Sequence, residues 1–480
     1  MKVGFDGGIR LEFHGAKLSS NGGLLAYRDL DHALGLFNSV STVFIDLKSI
    51  VSTLEGVVLD DFLEEINRNR TLKLAKKRST TYNTRNKSIM TINPHHTFRL
   101  GEFFCGPGGL ALGAKLATVE CCDETFSLTH AWATDYDRDS CETYRRNICP
   151  TDNASIICED IRKLDYNRLK NISDIDAFSF GFPCNDFSVV GEQKGINGTY
   201  GPLYAYGVKA INIFKPKFFL AENVGGLRNA NNGETFSTML KELYEEGYSI
   251  YPHLYKFNQY GVPQTRQRLI IIGIRNDIDV IFKIPSPKPY EGINISSGNA
   301  IQKPPIEKDA HNHIFTKQSK RVIERLQHIK PGENAFTAEL PEHLQLNIRG
   351  ATISQIYKRL DPEKPAYTVT GSGGGGTHMY HWEEDRALTN RERARLQTFP
   401  DNFVFSGSKE SVRKQIGMAV PCLGAKVIFE SVLKCFAGQE YSHIPPNIKS
   451  LIQPNHTAVN NAISISQTQI FEKQLASKSK

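Results

Sequence analysis

The sequence predicts an α/β fold built on a mostly parallel sheet, joined to a smaller irregular domain. Three observations carry this reading. Short apolar runs alternate with helical patterns between residues 100 and 274, the arrangement in which helices cover a parallel sheet. The first run ends at Cys105 and leads through Gly106-Pro107-Gly108-Gly109 into a helical pattern over 108–117; this is a cofactor-type strand, glycine turn and helix, although the spacing GxGxxG is absent. From Asp277 the periodicity is lost among Pro285, Pro287, Pro289 and polar residues, which marks a domain boundary.

Taken in order, residues 1–97 form an amino-terminal extension. Its second half, 44–97, passes from a possible short helix into a flexible basic linker carrying Lys73, Lys76, Lys77, Arg78, Arg85 and Lys87. The first domain covers 98–280. Its further strands are expected over 130–134, closing at Asp135, over 155–158, leading to Asp160 and Ile161, and over 176–181, leading to Phe182-Pro183-Cys184. A fifth over 218–221 ends at Glu222-Asn223-Val224, a helix follows over 233–246, and the last strands lie over 249–257 and 269–274. Residues 281–385 make the second domain, with a helix over 319–328 and the glycine run Gly373 to Gly376. The chain returns to the first domain over 386–440 and ends in a polar tail, 441–480, expected to lack fixed structure in large part.

A length of 480 residues accommodates both domains. The net charge of +7 favours an anionic partner without naming one. No secretory signal opens the sequence and no run of 18 apolar residues occurs, so a soluble, intracellular protein with reduced thiols is expected. The nine cysteines include no CxxC pair, which argues against a zinc site.

Cys184 follows a proline at the end of an apolar run, a placement that holds a thiol at the carboxyl edge of a sheet. Taken alone it is equally well explained as a buried core thiol. Glu222, flanked by Ala221 and Val224, has the setting of a carboxyl whose pKa is raised by burial and which can donate a proton; a structural pairing with an arginine is the alternative. Arg266 and Arg268 offer cations beside it, or a solvated strand face. Asp135 closes a strand where a carboxylate can accept from ribose hydroxyls, though strand-end carboxylates are also common on surfaces.

In combination and in this order, Phe103-Phe104-Cys105-Gly106-Pro107-Gly108-Gly109, Pro183-Cys184, Glu222-Asn223-Val224 and Gln264-Thr265-Arg266-Gln267-Arg268 resemble the motifs of C5-cytosine-specific DNA methyltransferases of bacterial restriction-modification systems. The resemblance covers residues 98–437. It implies a Rossmann-like domain that uses S-adenosyl-L-methionine and a target-recognition domain. By resemblance Phe104 and Tyr136 sandwich the adenine, Asp135 holds the ribose, Asp160 and Ile161 meet the adenine edge, and Leu203 packs on the cofactor. Gly106, Gly108, Gly109, Pro183 and Met418 complete that set; many members have Asn where this chain has Met418.

The resemblance further implies that Cys184 adds to C6 of a flipped-out cytosine while Glu222 donates toward N3. Arg266 and Arg268 bind O2 and orient the segment 189–200, which closes over DNA. The added thiolate is needed because C5 is not nucleophilic in the intact aromatic ring, and a thiol near pKa ~8.5 must be activated by its surroundings. Gln264, Arg349, Gln355, Thr368, Gly373 and Gly374 are the implied DNA-binding residues, with Arg349 and Gln355 the candidate base readers and Thr368 a phosphate contact. The implied partners are double-stranded DNA and, functionally, a cognate restriction endonuclease; the implied state is a cytoplasmic, nucleoid-associated monomer with no membrane contact. Two alternatives stay open: a related lineage that methylates tRNA, and a non-catalytic DNA-binding remnant. The second is suggested by residues 1–43, where Phe5-Asp6-Gly7-Gly8 and Asn21-Gly22-Gly23-Leu24-Leu25 resemble the edge of an insertion-sequence transposase. Met90 then reads as an earlier start of the enzyme.

Overall fold

A computed structural model describes residues 2–4, 10–12, 94–182, 203–346, 355–371, 373 and 375–452, with the backbone alone at 2–4, 10–12, 229–232 and 375. The chain divides into two units, 1–90 and 91–480. In the first, β1 (Lys2–Gly4) and β2 (Arg10–Glu12) pair antiparallel with Val3 opposite Leu11. The rest of the transposase-like stretch and residues 44–93 of the basic linker lie outside the described residues; the last linker residues, His95 to Thr97, are in strand β3 (His95–Phe103).

The second unit is organised by one sheet. Its strands are β3 (His95–Phe103), β4 (Thr118–Cys121), β5 (Glu124–Asp135), β6 (Ile156–Cys158), β7 (Ala177–Gly181), β8 (Phe218–Asn223), β9 (Tyr248–Lys256) and β10 (Gln267–Arg275). They lie in the order β4-β5-β3-β7-β8-β10-β9, with β6 also on β5. The strands β6, β5, β3, β7 and β8 run parallel, β10 is antiparallel to β8 and β9, and β4 is antiparallel to β5. This is the mostly parallel α/β sheet that the sequence predicts.

Period-two alternation sends successive side chains to opposite faces. Ile270, Ile272, Phe218 and Leu220 enter one core layer, while Leu269, Ile271, Phe219 and Ala221 enter the other. The helices are α1 (Gly109–Leu116), α2 (Arg138–Ile148), α3 (Tyr166–Ile172), α4 (Tyr204–Phe214), α5 (Glu234–Glu245), α6 (Ser297–Gln302), α7 (Lys320–Gln327), α8 (Asn390–Leu396), α9 (Lys409–Met418) and α10 (Cys422–Phe436). Leu110 of α1 and Val427, Phe429 and Val432 of α10 fill the first layer. Leu169 of α3, Ile211 of α4 and Leu240 of α5 fill the second. The span Lys409–Phe436 is apolar enough to cross a membrane, but 78 % of its most apolar stretch is buried inside the protein. It is a core element.

Two features depart from the sequence reading. β5 begins at Glu124 and folds back on β4, a hairpin whose short polar strand Thr-Val-Glu-Cys gives no periodic signal. The start of the expected tail is built into the unit: β11 (Ile284–Pro285) pairs with β12 (His443–Ile444), and Leu451 bridges Ile250. Residues 453–480 lie outside the described residues.

Candidate active site

The parallel strands bring their carboxyl ends to one edge, where open α/β sheets bind ligands. Phe104, Asp135, Phe182 and Glu222 follow or close β3, β5, β7 and β8 there. Because β10 is antiparallel, its second residue, Arg268, reaches the same edge. A cavity of about 390 Å³ lies along this edge. Its lining includes Phe104, Gly106, Gly109, Asp135, Tyr136, Glu222, Arg268 and Met418, so eight separately expected residues meet in one place.

At one end, the Asp135 carboxylate accepts from the Gly106 N-H and the Asp137 N-H, each at 2.9 Å. Burial raises its pKa, and these two amides oppose the rise. Gly108, at φ 96°, caps α1 in a left-handed conformation that glycine adopts without strain. A Cβ on Gly109 would stand 2.4 Å from the Val420 carbonyl oxygen, so the first turn of α1 lies directly on the 419–420 backbone. Tyr136 and Met418 are 63 % and 58 % exposed at the cavity, which leaves both free to cover a ligand. Asp160 and Ile161 are not in the cavity lining. The Asp160 carboxylate is bound by the guanidinium and amide of Arg162, which pull its pKa down to about 2, and Ile161 and Leu203 pack in the second core layer.

At the other end, Glu222 Oε1 lies 2.8 Å from Arg268 Nε. Burial raises the Glu222 pKa, against the opposing charges of Arg268 and Arg266. Gly181 is the register partner of Glu222, and a Cβ there would come within 3.1 Å of Glu222 Oε2. Next to it the Asn223 amide is fixed at both ends, accepting from the Val224 N-H at 2.8 Å and donating to the Phe182 carbonyl at 2.9 Å. Pro183 and Cys184 follow Phe182 and lie outside the described residues.

The remaining expected residues divide by burial. Arg266 is fully buried and donates to the carbonyls of Val369 (2.9 Å) and Gly417 (3.0 Å), joining the segment at Val369 to the end of α9; burial lowers its pKa. Gln264, expected at the DNA surface, is also fully buried. Its amide donates to Leu396 O and Gln397 Oε1 and accepts from the Val369 N-H. A glutamine in a polar motif reads as surface, and only the packing of α8 against this turn encloses it. Thr368 donates to the Thr265 carbonyl at 3.2 Å, and Gln355 and Gly373 are half-buried. Arg349 and Gly374 lie outside the described residues.

Sequence reasoning missed Glu102, Asp137, Lys414 and Gln415, all of which line the cavity. Glu102 is 1 % exposed, accepts from the Tyr144 hydroxyl at 3.2 Å, and is pushed up to about 8 by burial. The available signal was a single acid inside the apolar run 100–105.

Comparison with known proteins agrees with this geometry. Residues 98–434 match the C-5 cytosine-specific DNA methylase family. The type II methyltransferase M.BbvI of Brevibacillus brevis is 57 % identical over 353 residues, covering 72 % of this chain and 94 % of that protein. M.NgoFVII of Neisseria gonorrhoeae is 38 % identical over 347 residues, covering 70 % and 86 %. In fold, the chain is similar to a DNA modification methyltransferase encoded within an Escherichia coli prophage, with a TM-score of 0.54 and 22 % identity over 71 % of this chain and 99 % of that one. The chain therefore belongs to the C-5 cytosine-specific DNA methylase family, as a DNA (cytosine-5-)-methyltransferase that uses S-adenosylmethionine.

Proposed function

We propose that this enzyme methylates a cytosine flipped out of a specific double-stranded DNA site, through a covalent adduct at Cys184, as the modification enzyme of a restriction-modification system. The observation that carries this reading is the continuity of one cavity from the Gly106 and Asp135 end to the Glu222 and Arg268 pair. Its volume suits a small-molecule cofactor. In the lining, the carboxylates of Asp135 and Asp137 offset Arg268 and Lys414, so the cavity does not repel a sulfonium cation in a protein of net charge +7. Phe104, Gly106, Asp135 and Tyr136 would hold the nucleoside part, and Met418 would cover it. When bound, S-adenosylmethionine supplies a methyl group electrophilic enough for an electron-rich C5 to take.

The chain makes C5 electron-rich. The Cys184 thiolate adds to C6, and Glu222, whose hold on a proton is strengthened by burial, gives a proton to N3 as charge develops there. Arg268 orients Glu222 through the 2.8 Å contact between them and would face O2 of the flipped base. Once C5 carries the methyl group, loss of the C5 proton expels the thiolate, N3 gives its proton back to Glu222, and the aromatic ring is restored. Neither face of a stacked cytosine is open to this addition, so the base leaves the duplex. Arg349, Gln355, Thr368, Gly373 and Gly374 meet the DNA, whereas Gln264 and Arg266 act from within, holding Val369 in place. The enzyme works as a cytoplasmic monomer whose methylation protects DNA from a cognate endonuclease.

Bisulfite sequencing of plasmid from expressing cells tests the reading. Unconverted cytosines are expected in one sequence context with the unmodified enzyme and none with Cys184→Ser, because a hydroxyl is far less ionised than a thiol. Full conversion in both, or methyl transfer to tRNA instead of DNA, overturns it.

A further inference from the structure

Helix α8 carries arginines at 391, 393 and 395, and two of them are fully engaged. Arg391 donates to the carbonyls of His311, Pro400 and Phe403, and Arg395 pairs with Asp401. Arg393 is 1 % exposed, yet none of its three guanidinium nitrogens has a hydrogen-bond partner among the described residues. The adjacent carboxylate, Glu392, is taken up by Arg386 and the Thr389 N-H. A buried guanidinium without compensation is costly, so its retention calls for an acceptor from outside.

Arg393 lines a notch with Arg413, Lys409, His378 and Asn390, with room for about 10 Å³. Arg413 also has an unpartnered Nε, while its terminal nitrogen donates to the Gly373 carbonyl at 2.8 Å. A Cβ at 373 would stand 2.2 Å from Arg413 Nε and would push that side chain from its present position. Lys409 gives one hydrogen to the Phe315 carbonyl and has two more. Among the described residues no carboxylate pairs with Arg393, Arg413 or Lys409. Three cations thus converge on a space too small for a whole phosphate and large enough for one oxygen.

The position of the notch identifies the anion. Lys409 and Arg413 lie on α9, whose end at Gly417 and Met418 lines the catalytic cavity, and Gly373 belongs to the recognition region. We infer that the notch seats one non-bridging oxygen of a DNA phosphodiester. A free phosphate would leave its other oxygens outside the notch, whereas a duplex is held by further contacts as well. A phosphate seat of this kind fixes the register of the duplex and reads no base. The inference rests on the chain acting on DNA.

The test uses the full chain, a duplex that the unmodified enzyme methylates and one that it does not, with affinity measured by fluorescence anisotropy over a salt series. Arg413→Gln is expected to weaken both duplexes by a similar factor, roughly tenfold, and to make the slope of log K against log salt shallower by about one. Arg393→Gln is expected to lose the same slope without lowering the melting temperature, because it removes an uncompensated buried charge; should it fail to fold, Arg413→Gln decides alone. An unchanged slope in Arg413→Gln overturns the inference, and so does a loss confined to the methylated duplex, which would mean base reading. Inorganic phosphate stabilising the unmodified protein but not Arg413→Gln, with the DNA slope unchanged, would identify a free-anion seat and also overturn it. Absence of methyl transfer by the unmodified enzyme would count against the proposed function, and the slope on unmethylated DNA would still be read.

Discussion

Glu222 and Glu102 line one cavity and are both raised by burial, but only the first has a cation against it. Glu222 has a cation 2.8 Å away and is raised by burial, a setting that suits the proton donor proposed above. Glu222→Gln keeps the shape and removes the proton, so single-turnover methyl transfer is expected to fall about 10²- to 10⁴-fold while DNA affinity holds. Equal losses in both would mean a structural role. Glu102 has no cation partner among the described residues and rises to about 8. Its proton is bound more tightly in the folded protein than in the unfolded chain, where a glutamic acid titrates near 4.5. The stability it contributes is therefore complete below that value and is lost as pH climbs through about 8. Melting curves between pH 5 and 9 should show Glu102→Gln with a flatter profile and a higher melting temperature than the unmodified protein at the alkaline end. Parallel profiles would refute this ionisation.

Among the elements, α1 is placed by contact as much as by its sequence. Gly109 lies against the Val420 carbonyl, and at Gly113 a Cβ would stand 2.4 Å from the Ala425 Cβ of α10. Gly109→Ala forces backbone apart at a cost of about 1 to 3 kcal/mol, and calorimetry should find weaker cofactor binding with DNA affinity kept; unchanged cofactor affinity would place the cofactor elsewhere. The strands were legible because β7, β8 and β10 are buried on both faces and read as continuous apolar runs. β4 and β12 were not, since four and two residues carry too little pattern to register. Within the site, Glu222, Asp135 and the glycine turn were legible because each ends a strand. Gln264 and Glu102 were not, because their burial is made by α8, α9 and Tyr144, elements remote in sequence.

At the scale of the whole molecule, the chain closes on itself beyond α10. The Asn447 side chain accepts from the Leu254 N-H at 2.9 Å and donates to the Leu254 carbonyl at 3.0 Å, stitching the returning segment to the outer edge of β9. Asn447→Ala leaves that edge partly unpaired and is expected to lower stability by about 1 to 3 kcal/mol, read as an earlier denaturant midpoint with unchanged methyl transfer per folded molecule. A midpoint that does not move would show that the segment is not fastened there. The doubly fixed Asn223 amide has a consequence of another kind, for tolerance. It clamps the carbonyl of Phe182, the residue from which the chain departs toward Cys184, and it stands next to Glu222 on β8. Reactions of this type lose roughly 10²-fold for a misplacement of about 1 Å. One amide thus ties the end of β7 to the end of β8, so that whatever shifts one strand carries Phe182 and Glu222 together.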